Sequence, residues 1–392
     1  MGVGMSAFRT RRDDQDFMGL LQEASTSALA DAGLDMGDIE AVVLAQAPDA
    51  LHGIGHPEQT ATGALAARGK PMLRVNTGGA TGASAAQVGW WGVASGRFDA
   101  VLVVGAEKMG DNVRGAQEVL NKIWDPAYEA ALPLNTIAMS ALAAVRYMNR
   151  YGVTEEQFAG IASRLRANGV RNEKAHLRTA ISVDDVLHSP ILCWPIRLAM
   201  SCPRSTGACA VIIACEDRAR RLGTPRAWVR GVAARANTYF MGDKMGDAGP
   251  NDHATHYELR LASEEAYRMA RIRQPSDEID IVEPYVPFAT LEPAVLESLL
   301  LCGPGQAARL AEGGHWDLAG RLPVSPSGGV LCSNAISITA LMCVAEAAQQ
   351  VRGRAQDHQV DGVRTAVATG AGGSLQFFVA FVLGTDETVE AA

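Results

Sequence analysis

The 392-residue sequence has neither a disulfide framework nor a cysteine pattern that would bind a metal. Its seven cysteines are spread between residues 193 and 343, without a Cys-x-x-Cys pair or a zinc-type cysteine–histidine spacing. An odd number of unpatterned cysteines is typical of reduced thiols in a cytoplasmic protein. We therefore predict a cytoplasmic protein with no metal site.

Long apolar runs and basic clusters are also missing. No run approaches the roughly 18 apolar residues that a membrane span needs, and the opening MGVGMSAFRTRRDD lacks the basic-then-apolar order of a secretory signal. The 35 Lys and Arg residues are outnumbered by 43 Asp and Glu residues, which gives a net charge of −8. These features argue against a membrane or a nucleic acid as partner.

Apolar and small residues, by contrast, are abundant, with 48% hydrophobic residues and 40 glycines. This is ample for a large core. In the first quarter of the chain, helical and strand patterns alternate. The helices are predicted over 15–33, 56–67 and 80–94, and the strands over 39–46, 71–76 and 100–107. The alternation predicts an α/β fold with a mostly parallel sheet.

The most informative stretch is Arg74–Ser95, which reads as a strand, a glycine turn and a helix of small residues. Gly78 and Gly79 allow a tight turn, and the alanines after it let a backbone or ligand approach closely. Residues 328–351 repeat the layout. We predict a duplicated architecture, with helices 80–94 and 335–351 packed side by side between two sheets.

The segment VNTGGATGASAA resembles the nucleophile turn of the thiolase superfamily, in particular its SCP-2-type branch. The resemblance covers nearly the whole chain. It implies a duplicated layered α-β-α-β-α fold with an inserted loop domain over the coenzyme A arm of the substrate. The implied division is 1–107 with 200–222 for one half, 108–199 for the loop domain and 223–392 for the other half. Gly79 stands where the family has its cysteine, and glycine cannot form an acyl-enzyme.

A second motif of the resemblance is Glu-Pro-Tyr-Val-Pro-Phe at 283–288. Tyr285 matches the family residue that helps to hold the thioester oxygen. A phenol can donate a hydrogen bond to an oxyanion, and it can act as acid or base if its pKa is lowered. The same tyrosine resembles that of steroid side-chain retro-aldolases, which are thiolase-fold proteins.

The third motif, PSGGVLCSNAI at 326–336, falls where the family has a glycine pair followed by Gly-His-Pro. Ser325 replaces the family's first asparagine. No histidine is present, and Asn334 or Ala335 takes its place, depending on a one-residue gap. Cys332 is either an unusual thiol of the pocket or a buried structural cysteine.

The fourth motif, ATGAGGS at 368–374, matches the family's C-terminal glycine loop. The resemblance implies that the N–H groups of Gly372 and Gly373 form an oxyanion hole. The family's second cysteine is absent. Other candidates rank lower. Arg146 and Arg150 lie one helical turn apart, either to meet coenzyme A phosphates or as solvated arginines, and the histidines at 56, 253 and 256 are expected at surface or loop positions.

The resemblance therefore predicts an acyl-CoA enzyme that makes or breaks a carbon–carbon bond, in lipid metabolism and degradation. Retro-aldol cleavage of a β-hydroxyacyl-CoA is preferred, because Gly79 offers no nucleophile. One alternative is thiolytic Claisen cleavage with a small zinc-ribbon/OB-fold (DUF35-type) partner, and another is a non-catalytic protein that binds acyl-CoA or lipid. No cofactor is expected beyond the coenzyme A of the substrate. A homodimer paired through residues 71–76 is implied, because an open apolar edge strand invites aggregation.

Overall fold

The protein is described from a computed structural model that covers residues 2–47, 51, 53–111, 115–386 and 388. Up to the end of the middle segment, strands and helices follow one another in the order β1 (Gly2–Met5), α1 (Phe17–Ala32), β2 (Ala41–Ala45), α2 (Pro57–Ala64), β3 (Met72–Val75), α3 (Thr81–Ala94), β4 (Ala100–Lys108), α4 (Gly115–Leu120), α5 (Thr136–Tyr151), α6 (Glu155–Arg171), α7 (Val183–His188), β5 (Ile191–Cys193) and β6 (Ile196–Arg197).

The remainder of the chain returns to alternating strands and helices. They are β7 (Thr206–Ala214), α8 (Glu216–Arg221), β8 (Trp228–Ala236), α9 (Tyr257–Ala270), α10 (Pro275–Glu278), β9 (Ile281–Glu283), α11 (Glu292–Ser298), α12 (Ala307–Glu312), α13 (Gly329–Cys332), α14 (Ile336–Val351), β10 (Thr365–Gly372) and β11 (Phe377–Gly384).

Two sheets repeat one strand order. The first runs β1-β7-β4-β2-β3, with β2 parallel to both β3 and β4, and β7 antiparallel to β4 and β1. The second runs β8-β11-β10-β9 with the same directions, and a parallel bridge from Val282 to Val324 stands where the first sheet has its fifth strand. In each of these two sheets, all strands but one run in the same direction; the exceptions are β7 and β11. The predicted duplication and the mostly parallel arrangement are confirmed.

Helices α3 and α14 form the layer between the sheets, as predicted. Alternate residues of β4 belong to different layers, because successive side chains of a strand point to opposite faces of the sheet. Val101 and Val103 pack in the central layer, whereas Leu102 and Val104 face the outer layer that contains α1. Helix α9 covers the outer face of the second sheet. A β-carbon on Gly82 of α3 would lie 2.7 Å from Cβ of Leu341 of α14, so the two helices touch closely.

Residues at the helix ends show how the local sequence determines where these helices begin and end. Asp16 caps α1 by accepting a hydrogen bond from the Gly19 N–H, and Gly33 ends the helix in the left-handed conformation. Thr154 and Gln157 form a capping box at the start of α6.

Residues 109–205 connect β4 to β7, which pair directly with each other, so this segment leaves the first sheet and returns to it at neighbouring strands. Its helices α5 and α6 share a hydrophobic cluster with Ala289, Ala294 and Ala308 of the second half. The segment is therefore an insertion that lies against the C-terminal half. The division at 108–199, with halves at 1–107 plus 200–222 and at 223–392, stays a prediction.

Strand β3 lies at an edge of the first sheet, and Leu73 within it is 57% exposed. This is the strand through which a homodimer is predicted. In the described ranges, no helix combines the length and apolar character needed to cross a membrane.

Candidate active site

A cavity of about 310 Å³ lies where the predicted motifs of both halves meet. It is lined by the turn before α3, the segment after β9, the loop before α14 and the loop that ends β10, through Gly79, Tyr285, Asn334, Gly372 and Gly373. Five residues from four separate motifs are therefore brought to one site. A larger open groove of about 820 Å³ beside α6 is lined by none of them.

Gly79 lies at the start of α3, in a single 3-10 turn that leads into the helix. A β-carbon on Gly79 would lie 2.5 Å from the hydroxyl oxygen of Tyr285 and would also overlap the carbonyl oxygen of Ala371. Real β-carbons essentially never make contacts this short. The space that a nucleophile's side chain would need is thus occupied by the Tyr285 hydroxyl.

Tyr285 follows β9, and its backbone N–H donates to Thr369 Oγ1 at 2.8 Å. This bond ties the tyrosine to β10, the strand that ends in the glycine loop. The side chain is 7% exposed. Burial raises the pKa of Tyr285 well above its usual value, and the neighbouring Cys202 and Cys343 act in the same direction. The phenol is therefore neutral at physiological pH, which makes it a hydrogen-bond donor.

Of Asn334 and Ala335, it is Asn334 that lines the cavity, whereas Ala335 beside it is fully buried. The amide of Asn334 is held at both ends. Its Oδ1 accepts from Thr339 Oγ1 at 3.0 Å, and its Nδ2 donates to Cys202 Sγ at 3.2 Å. Its backbone N–H donates to Ser205 Oγ. An amide cannot take a proton as histidine does, so Asn334 can orient a substrate but not serve as a base.

The loop at the end of β10 lies directly against the Gly79 turn. A β-carbon on Gly372 would lie 3.0 Å from the backbone N of Gly79 and would overlap the carbonyl oxygen of Thr77. Gly373 has φ +64°, and its backbone N would lie 3.0 Å from a β-carbon on Gly78. Side chains at these positions would force the two loops apart. Glycine is required here because two backbones meet at van der Waals distance.

Cys332 does not reach this cavity. It lies on α13 and faces α6, where its Sγ donates to the Leu165 carbonyl at 3.4 Å, and a β-carbon on Gly169 would lie 2.6 Å from the sulfur. Burial raises the pKa of the Cys332 thiol to about 12. Of the two alternatives that the sequence left open, the packing favours a structural cysteine.

The thiol that does line the cavity is Cys202, which no family motif marks. It is half-buried, and burial raises its pKa to about 12 in spite of the hydrogen bond from Asn334. A thiol nucleophile must ionise, so this environment does not suit one.

Arg146 and Arg150 lie on one face of α5, but both point at a nearby turn. The carboxylate of Asp252 forms ion pairs with Nε of Arg146 at 2.8 Å and with Nη1 of Arg150 at 2.6 Å. Asp247 forms a second ion pair with Arg146. Neither arginine lines the cavity. Their assignment to coenzyme A phosphates stays a prediction, and any phosphate would compete with Asp252.

His253 and His256 were expected at surface or loop positions; both lie in the loop before α9, but neither is at the surface, because each is 3% exposed. His256 lines the cavity. It precedes α9 with φ 44° and ψ 50°, a left-handed conformation that is uncommon outside glycine. No family motif marks this position. The one signal in the sequence is a histidine immediately before an amphipathic helix.

The rest of the lining is mainly apolar and comes largely from the inserted segment. These side chains would contact an apolar group and not a charged one. They are Met109, Leu120, Ile123, Ile137, Met139, Leu192, Leu198, Phe288, Leu291, Ile336 and Leu375.

Family models match most of the chain. Residues 3–184 match the family described as "Thiolase, N-terminal domain", and residues 248–385 match "Thiolase C-terminal domain-like". The resemblance found in the sequence is thereby confirmed.

Curated relatives include both acyltransferases and an aldolase. The chain is 29% identical to an acetyl-CoA acetyltransferase of Methanothermobacter thermautotrophicus, over 92% of each chain. It is 29% identical to a steroid side-chain-cleaving aldolase of Thermomonospora curvata, over 95% of this chain and 94% of the relative. It is 28% identical to sterol carrier protein 2 of Gallus gallus, over 96% of this chain and 70% of the relative.

Among solved structures, the Ltp2-ChsH2(DUF35) aldolase superposes with a TM-score of 0.84 at 25% identity, covering 99% of this chain and 97% of the other.

Proposed function

Because the chain belongs to the SCP-2-type branch of the thiolase superfamily and is an acyl-CoA enzyme of that superfamily, we propose that it cleaves a β-hydroxyacyl-CoA by a retro-aldol reaction. The products are a shorter acyl-CoA and a ketone or aldehyde.

The observation that carries this proposal is the contact between Gly79 and Tyr285. A thiolytic cleavage needs a thiolate that attacks a carbonyl and forms an acyl-enzyme. Here the nucleophile position has no side chain, and the Tyr285 hydroxyl fills the space beside it. Cys202, the one thiol among the described residues that line the cavity, has its pKa raised to about 12.

The cavity contains groups that a retro-aldol reaction requires. The proton of the β-hydroxyl leaves to a base, the bond between the α- and β-carbons breaks, and its electron pair forms an enolate whose negative charge lies on the thioester oxygen. Donors that face this oxygen lower the barrier. The neutral phenol of Tyr285 and the N–H groups of Gly372 and Gly373 are the proposed donors, with Asn334 as a further amide donor beside them.

The apolar lining supports a hydrocarbon acyl group as the substrate, and coenzyme A enters as part of that substrate. The similarity to a steroid side-chain-cleaving aldolase and to a DUF35-containing aldolase supports a lipid-degradation role and a small zinc-ribbon/OB-fold partner. We further propose a homodimer through β3, on the strength of its exposed edge and Leu73. Light scattering at micromolar concentration tests the dimer, and a monomer would contradict it.

Thiolytic Claisen cleavage remains the second candidate, because the relatives include an acetyl-CoA acetyltransferase. The non-catalytic alternative is not retained, since the chain is an enzyme of this superfamily.

The experiment that tests the proposal compares two substrates with the same hydrocarbon chain, a β-hydroxyacyl-CoA and a β-ketoacyl-CoA plus free coenzyme A. Each is assayed with and without the zinc-ribbon/OB-fold protein. We expect turnover of the hydroxy substrate alone, with ketone or aldehyde released. Turnover of the keto substrate alone would establish the second candidate instead.

A further inference from the structure

We infer that His256 is the base that takes the β-hydroxyl proton. This assignment rests on the proposed retro-aldol function, since that reaction creates the need for a base. No motif of the sequence marks His256, and Tyr285, held neutral by burial, is suited to donate rather than to accept a proton.

The first support is position. His256 lies immediately before α9 and lines the same cavity as Tyr285, Asn334 and Gly79. Its ring packs against Phe378, with centroids 5.6 Å apart. Its left-handed backbone costs energy for a non-glycine residue, and such conformations concentrate at functional sites.

The second support is the hydrogen bonding of the ring. Neither Nδ1 nor Nε2 of His256 has a hydrogen-bond partner, although both atoms are buried. Leaving a buried polar atom unsatisfied costs about 1–3 kcal/mol, so such an atom calls for an explanation. Other buried histidines in the described ranges are anchored: His253 contacts the Lys244 carbonyl through Nδ1 at 3.2 Å, and His358 contacts Glu346 through Nε2 at 2.9 Å. Because both nitrogens are covered in the free protein, the ring has to turn towards the cavity for a substrate hydroxyl to supply the partner that His256 lacks.

The third support is the electrostatic setting. Burial, aided by the neighbouring His253 and opposed by Asp252, lowers the pKa of His256 to about 4. The ring is therefore neutral in the free protein and has one nitrogen that can accept a proton. Positive charge on the ring becomes favourable once an enolate forms in the same cavity, because opposite charges attract strongly away from water.

One ring nitrogen of His256 takes the hydroxyl proton and the ring becomes positively charged, while the hydroxyl oxygen forms the new C=O bond at the β-carbon. The electron pair of the broken carbon–carbon bond becomes the enolate held by Tyr285 and the glycine loop. The imidazolium then returns its proton to the α-carbon, which gives the shorter acyl-CoA and restores neutral His256. No oxidant, reductant or added thiol is consumed.

The test is chemical rescue. His256→Gly suits the left-handed backbone and leaves space for free imidazole. We expect the rate of carbon–carbon cleavage to fall by about 10²–10⁴-fold with KM changed by less than about threefold, and added imidazole to restore part of it. His256→Asn, which also tolerates this conformation, should be equally slow and should not be rescued, because it leaves no such space. His253→Asn is the matched buried control and should keep the wild-type rate.

The possible results distinguish a failure of the base assignment from a failure of the proposed function. If the wild-type protein cleaves the substrate and both His256 variants, folded by circular dichroism, do so at wild-type rate, the base assignment is overturned and the proposed function stands. Slow variants that imidazole does not rescue overturn it as well, in favour of a positioning role. If the wild-type protein cleaves no β-hydroxyacyl-CoA, the proposed function falls and the assignment falls with it.

Discussion

The hydroxyl oxygen of Tyr285 lies where a side chain on Gly79 would have to begin, since a β-carbon on Gly79 would be 2.5 Å away from it. The two residues are therefore linked: the glycine makes room for the phenol, and the phenol excludes a nucleophile. This relationship accounts for a thiolase-superfamily site without the family's cysteine.

The first prediction concerns that relationship. Gly79→Ala should displace Tyr285 or the Ala371 carbonyl, with a cost of about 1–3 kcal/mol in the free energy of unfolding and at least about a tenfold loss of turnover. Gly63→Ala is the control, because that exposed helical glycine has nothing within 4 Å of an added β-carbon. Urea unfolding and turnover assays would contradict the account if both variants matched the wild type.

The second prediction concerns the phenol. Tyr285→Phe removes the donor but keeps the ring, so kcat should fall by about 10²–10⁴-fold, as expected for a lost oxyanion or acid contribution. Tyr267→Phe is the matched control. Tyr267 is also buried and donates to the Leu299 carbonyl at 2.9 Å, far from any lining role. That control should lose about 0.5–1.5 kcal/mol of stability and none of its rate. Equal rates for Tyr285→Phe and the wild type would remove Tyr285 from the mechanism.

The third prediction concerns the thiols. Cys332→Ala should keep the rate within about twofold, because its sulfur packs against α6 outside the cavity. Cys202→Ala should change KM more than kcat, because that side chain lines the cavity without acting as a nucleophile. Intact-protein mass spectrometry during turnover should find no acyl adduct. An inactive Cys332→Ala or Cys202→Ala protein, with an adduct on the wild type, would establish thiolysis.

Much of this site could be predicted from the sequence, because the motifs at Gly79, Tyr285 and Gly372–Gly373 are short, rich in glycine and tied to strand ends. The fold could be predicted for a similar reason, because apolar periodicity and helix caps such as Asp16 and Gly33 are local features of the sequence. The choice between Asn334 and Ala335 could not be made, because a one-residue gap in a loop has no local signature. Only the packing of the loop shows which side chain enters the cavity.

Neither the position of Cys332 nor the burial of His256 could be predicted from the sequence, for physical reasons. Cys332 is close to Asn334 in sequence, yet it lies on α13, whose short helical turn directs the sulfur towards α6. His256 is close to no motif, and its burial arises from contacts between elements distant in sequence, such as the ring of Phe378 on β11. Long-range packing of this kind leaves no periodic trace.

The fourth prediction concerns pH and stability. Glu283 lies two residues before Tyr285 and accepts hydrogen bonds from Ser327 N and Oγ. Burial, aided by nearby Glu346, raises the pKa of Glu283 to about 8, against the opposing effects of these hydrogen bonds and of His358. The folded state thus holds a proton that the unfolded chain releases near pH 4.5. This stability is fully present below the unfolded pKa and is lost as the pH rises to about 8, with a slope of up to about 1.4 kcal/mol per pH unit.

Glu283→Gln mimics the protonated carboxyl group, so it should flatten this decline in urea-unfolding free energies measured between about pH 5 and pH 8. Glu173→Gln, at an exposed position, should leave the slope unchanged. A slope that Glu283→Gln does not alter would show that Glu283 is not the group responsible.

Carbon–carbon cleavage without a covalent intermediate is the central element of the proposed function, and one measurement tests it directly. A single turnover of a β-hydroxyacyl-CoA is run without free coenzyme A, with excess protein and the zinc-ribbon/OB-fold partner present, and both products are quantified by mass spectrometry. We expect ketone or aldehyde and shortened acyl-CoA in equal amounts. Cleavage that requires free coenzyme A, or that leaves an acyl group of the substrate attached to the protein, would contradict the proposed retro-aldol reaction.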